Sequence, residues 1–105
     1  MKTKTQHISR LIKKTISSID PKAQVVLYGS RARGTERDDS DWDILILTDY
    51  PVNLQIERRF REKLYDLELE TGESFSIFAY SKTDWQTKQR ITPFYQNVSQ
   101  EGIFI

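Results

Sequence analysis

Apolar positions in the first twenty residues recur at helical spacing. Ile8, Leu11, Ile12, Thr15, Ile16 and Ile19 share one side, and Ser9, Arg10, Lys13, Lys14 and Ser17 the other, which predicts an amphipathic helix stopped by Asp20-Pro21. Val25-Val26-Leu27-Tyr28 is then a short apolar run closed by Gly29, the pattern of a strand buried on both faces. Gly34 to Ser40 is polar and without period, so it predicts a loop, and Trp42 to Leu47 returns to dense apolar character as a second buried strand. Ile56, Phe60 and Leu64, four apart among charged residues, predict a second amphipathic helix starting near Asn53.

From Tyr65 a period of two competes with the helical one. Tyr65, Leu67, Leu69 and Thr71 alternate with Asp66, Glu68 and Glu70, and Phe75, Ile77 and Ala79 alternate with Ser74, Ser76 and Phe78. That favours a β-hairpin across Gly72 over a helix running on to that glycine. Ser81-Lys82-Thr83-Asp84 resembles a helix start, Thr92-Pro93 opens a last helical turn or two ended by Gly102, and Ile103-Phe104-Ile105 is an apolar tail. The tail suits either an interface or packing on the chain's own sheet. The order helix, strand, strand, helix, hairpin, helix indicates one α/β (α+β) domain spanning 1–105, a small mixed β-sheet with helices packed against it.

Composition narrows the chemistry. With no cysteine and one histidine, thiolate and multi-histidine metal sites are excluded, so a metal would be held by oxygen. Sixteen basic against fifteen acidic residues leave no global charge to attract RNA or an anionic membrane, although RNA bound at a local patch stays open. The chain starts without the apolar run of a signal peptide and has no stretch long enough to span a bilayer, so a cytoplasmic protein with no membrane partner is expected. His7 reads as a surface residue; Arg58, Arg59, Arg61 and Lys63 read as a solvated helix face; Trp85, Phe94 and Tyr95 read as core or partner-contacting aromatics.

Two segments carry candidate chemistry. Gly29-Ser30-Arg31-Ala32-Arg33-Gly34 follows a buried strand, where free backbone N–H groups suit a phosphate, with Ser30 as a cap or donor and Arg31 or Arg33 adding charge. Thr35-Glu36 stands where a Walker A loop needs Lys followed by Ser or Thr, so a P-loop ATPase is not expected. Ser40-Asp41-Trp42-Asp43 opens the second strand, and residues two apart on a strand share a face about 7 Å apart. If the two carboxylates approach to about 4 Å, their repulsion is on the order of 4 kcal/mol at an effective dielectric near 20, which a cation or a proton must relieve. Magnesium or manganese fits such oxygen donors.

Together, G-S-x-x-x-G after one strand and S-D-x-D opening the next closely resemble the nucleotidyltransferases of the DNA polymerase β type, in particular the short bacterial minimal nucleotidyltransferases. The likeness covers Val25 to Leu47, with compatible elements on either side. It implies a polymerase β-like core in which Gly29, Ser30, Arg31 and Arg33 bind a nucleoside triphosphate, ATP foremost. Asp41 and Asp43 would bind two divalent ions, Mg²⁺ or Mn²⁺, and act catalytically. The implied reaction moves a nucleoside monophosphate to a hydroxyl of a protein or RNA by a two-metal displacement releasing pyrophosphate. Active members usually add a third carboxylate from a neighbouring strand. Here Phe75-Ser76-Ile77 offers a serine, and only Glu68, Glu70 or Glu73 could substitute. The resemblance therefore leaves a second function open: an antitoxin or regulatory module that masks a helical partner of the HEPN type.

Overall fold

The computed structural model describes residues 2–105. Helix α1 (Thr3–Ile19) leads into strand β1 (Gln24–Tyr28), a single helical turn α2 (Ser30–Arg33) and strand β2 (Trp42–Thr48). Helix α3 (Leu54–Thr71) and strand β3 (Phe75–Ser81) follow, then short helix α4 (Lys82–Gln86), helix α5 (Pro93–Glu101) and a two-residue strand β4 (Ile103–Phe104). The sheet order is β3-β2-β1-β4. β1 is antiparallel to β2 and to β4, whereas β2 and β3 are parallel, so the sheet is mixed.

Alternation along the central strands sorts side chains to two faces. Val25, Leu27, Ile44, Ile46 and Ile77 meet Ile8, Ile12 and Ile16 of α1 and Phe60, Leu64 and Leu67 of α3 in the larger core. Val26, Tyr28, Leu45 and Leu47 face the other way, onto Trp85 of α4 and Val98 of α5. Trp85 packs on Tyr95 and Phe94 with ring centroids 4.9 and 5.5 Å apart, so Trp85 is a core residue and the half-buried Phe94 and Tyr95 pack against that core. With helices on both sides, the middles of β1 and β2 must be apolar, as the runs Val25 to Tyr28 and Ile44 to Leu47 indicate.

One expected element is different. Residues Tyr65 to Thr71 form no strand; they complete α3, whose end is set by Gly72 in the left-handed conformation at φ 76°. Phe60, Leu64 and Leu67 are the buried residues of this helix, while Tyr65 and Leu69 are exposed at 55% and 68%. Parallel pairing of β2 with β3 explains the outcome: parallel strands need a long crossover, usually a helix, and Phe75–Ser81 pairs with β2 where the hairpin would have paired it with Tyr65 to Thr71. α3 is that crossover. Asn53 caps its start by accepting a hydrogen bond from the Ile56 N–H at 2.9 Å.

The apolar tail packs on its own sheet. Phe104 and Ile103 pair with Val26 and Leu27, and the Ile105 N–H donates to the Val25 carbonyl at 3.0 Å. Among the described residues no helix is long and apolar enough to cross a membrane.

Candidate active site

The end of β1 and the start of β2 meet at one end of the sheet, between its two central strands. Tyr28, the last residue of β1, pairs with Asp43, the second residue of β2. The next residue, Gly29, has φ 75° and ψ −160°, a conformation open to glycine but not to residues with a Cβ. Its lack of a side chain matters a second time, since a Cβ there would overlap Oδ2 of Asp43. The glycine loop and the strand aspartate are thus in direct contact.

Asp43 lies on the sheet face that carries Tyr28, Leu45 and Leu47, and Asp41, exposed and just ahead of β2, adds its charge to that of Asp43. Neither carboxylate has a hydrogen-bond or ion-pair partner among the described residues. The Asp43 carboxyl is raised above its ordinary pKa, first by burial and then by the charges of Asp41 and Glu101, with Arg33 opposing. Burial together with Asp43 and other nearby groups also raises Tyr28. A partly buried acid beside like charge is an arrangement that a divalent cation stabilises.

The two loop arginines diverge. Arg31 is only 5% exposed; its guanidinium lies 4.4 Å from the centroid of the Trp42 ring and donates to the carbonyls of Ser40 at 3.0 Å and Asp38 at 3.3 Å. It holds the segment that delivers Asp41, and its Nε is buried without a partner. Arg33 is exposed, and its Nη1 donates to Glu101 at 2.7 Å. Ser30 begins α2 but makes no capping bond; the cap position belongs to Gly29. Its hydroxyl has no internal partner among the described residues.

The three glutamates considered for the acid set are engaged elsewhere or remote. Glu68 accepts the Phe75 N–H at 2.8 Å, tying α3 to the start of β3. Glu73 bonds Lys4 at 2.6 Å and Trp42 Nε1 at 3.3 Å, and although burial opposes it, these bonds and Arg31 hold its carboxyl below its ordinary pKa. Glu70 is exposed on α3. Beside Asp43 in the parallel register stands Ser76, so the neighbouring strand does present a side chain at the expected position, and it is a hydroxyl. Among the described residues no three acids, histidines or cysteines cluster as a complete metal site.

A model of the nucleotidyltransferase domain family matches residues 9–93. The chain belongs to this family. Two solved structures share the nucleotidyltransferase fold: a toxin–antitoxin with AMP-PNP, at 21% identity and TM-score 0.66 over 89% of this chain and 68% of that one, and a mutant of the toxin–antitoxin MntA-HpeT, at 19% identity and TM-score 0.66 over 90% and 69%. No curated protein sequence matches significantly. The nucleotidyltransferase resemblance read from Gly29-Ser30 and Asp41/Asp43 is therefore borne out at the level of family and fold.

Sequence reasoning missed Glu101. It lies sixty residues beyond Asp41, and only the return of α5 across the second face of the sheet brings it to Gly29. The one local signal was an acid at a helix C-terminus, where the dipole disfavours negative charge.

Proposed function

We propose that this domain transfers a nucleoside monophosphate from a nucleoside triphosphate, ATP foremost, to a hydroxyl group of a protein or RNA. The supporting observation is the contact between Gly29 and Asp43, which brings the glycine loop and the strand carboxylate together. Gly29, Ser30 and Arg33 would hold the phosphates through backbone N–H, hydroxyl and guanidinium. Arg31 acts behind them by fixing the loop through the Ser40 and Asp38 carbonyls.

The donor set fits magnesium or manganese. Two carboxylates, with the remaining positions left to water and substrate phosphate oxygens, is the usual way such ions are bound at triphosphate sites. Bound there, the ions neutralise charge on the transferring phosphoryl group and favour the ionised acceptor hydroxyl. Asp41 and Asp43 hold and orient them, and burial of Asp43 against Gly29 limits its freedom to drift out of position.

Ser76 beside Asp43 favours a second reading, in which catalysis is weak and the domain serves as an antitoxin or regulatory subunit masking a HEPN-type partner. The two readings separate in one experiment. The protein is incubated with α-labelled triphosphates, Mg²⁺ or Mn²⁺ and a lysate of its source, beside an Asp41→Asn/Asp43→Asn variant. Label on a macromolecule with the intact acids alone supports transfer. No label from either protein, with a partner retained equally by both, supports masking.

A further inference from the structure

Glu101 closes α5 with a negative charge next to the helix's own unpaired carbonyls, an unfavourable position. Two specific contacts nonetheless fix its carboxylate: Oε1 accepts the Gly29 N–H at 3.1 Å, and Oε2 accepts from Arg33 Nη1 at 2.7 Å. These are the backbone donor and the cation assigned above to the triphosphate. We propose that Glu101 is an internal stand-in for a nucleotide phosphate group, seated on Gly29 and Arg33 in the free protein and displaced when a triphosphate binds. The inference rests on the nucleotide reading and adds to it a residue that sets affinity.

The surroundings determine how the exchange occurs. Immediately after Glu101, Gly102 is packed so tightly that a Cβ would lie 2.5 Å from the Val98 carbonyl oxygen and 2.8 Å from Val26 Cγ1, and Ile103 is already paired with β1. The backbone on this side is pinned, so the carboxylate must leave by side-chain rotation. Nothing strong opposes that. The Arg33 and Glu101 side chains are 49% and 22% exposed, and an ion pair so open to water is weak. A triphosphate offers several anionic oxygens to the same donors and so outcompetes one carboxylate. Departure of Glu101 also removes a negative charge from the neighbourhood of Asp43 as anionic substrate arrives.

The test is calorimetric titration of a non-hydrolysable ATP analogue with Mg²⁺, and separately of inorganic tripolyphosphate, into the wild type, Glu101→Gln and Glu101→Ala. Loss of a competing surface ion pair should tighten both ligands by about fivefold. In an Arg33→Ala background the gain from Glu101→Gln should be smaller, because the carboxylate then contests only the Gly29 N–H. Melting temperatures verify that each variant folds, and Gln keeps the size and the acceptor for Gly29 if Ala perturbs α5. Equal or weaker binding by Glu101→Gln, with the wild type binding normally, overturns the stand-in and leaves the nucleotide reading intact. Absence of binding in all variants overturns both.

Discussion

At the scale of single residues, the site is defined by what Gly29 and Asp43 do to each other. The carboxylate occupies the space a side chain on Gly29 would need, so Gly29→Ala should displace Asp43 or strain a backbone at φ 75°. The raised pKa of Asp43 has a consequence of definite sign. Because the folded-state value is the higher, the linked stability is fully present below the unfolded-state pKa and is lost as pH rises through the folded-state one. Asp43→Asn is neutral at every pH and close in shape. It should therefore raise the melting temperature of the metal-free protein at neutral pH, with the gain fading as pH falls through the carboxylate range. Scanning calorimetry without metal measures this, and a neutral-pH melting temperature no higher than wild type would contradict it.

Ser76 allows a gain-of-function test at the same scale. It stands beside Asp43 in register, so Ser76→Asp places a third carboxylate there. Manganese affinity should rise by about tenfold, since charge count at an oxygen site tunes affinity. The metal-free protein should melt a few degrees lower from added repulsion. Unchanged manganese binding would mean that Ser76 does not face the metal position.

At the scale of elements, α3 shows where a local pattern misleads. Tyr65 to Thr71 fits a period of two, but Phe60, Leu64 and Leu67 also fit a helical period, and burial follows the helix. A strand reading puts Leu67 and Leu69 on one face; the helix separates them. Leu67→Ala should accordingly cost about 2–5 kcal/mol in chemical denaturation and Leu69→Ala about 0.5 kcal/mol or less. Equal costs would favour the strand. Competing periods of short apolar segments cannot be resolved locally, because the deciding fact here is the parallel pairing of β2 with β3. By contrast β1, β2 and α1 were legible, since their runs were long or buried on both sides. The acids were legible for a related reason: Asp41 and Asp43 interrupt an apolar strand at its mouth. The clamp of Arg31 on Trp42 and the reach of Glu101 were not, being contacts set by tertiary geometry alone.

At the scale of the whole molecule, a four-stranded sheet with helices on both faces brings the β1–α2 loop, the mouth of β2 and the end of α5 together at one end of its strands. A neighbouring cavity of about 450 Å³ shares Arg33 and Gly34 with the loop and is also lined by Lys2, Thr5, Arg31 and Glu36, but by neither aspartate. A site at the end of the strands suits an acceptor brought by a second macromolecule, in keeping with the proposed transfer to a protein or RNA. It also makes one claim central, that loop and acids form a single site in which nucleotide and metal support each other. Electron paramagnetic resonance of free Mn²⁺, titrated with protein in the presence and absence of a non-hydrolysable triphosphate, tests it most directly. The wild type should bind manganese more tightly with the nucleotide present, Ser30→Ala should weaken that enhancement, and Asp41→Asn/Asp43→Asn should abolish it; manganese binding by the double variant equal to wild type, or blind to nucleotide in both, would contradict the account.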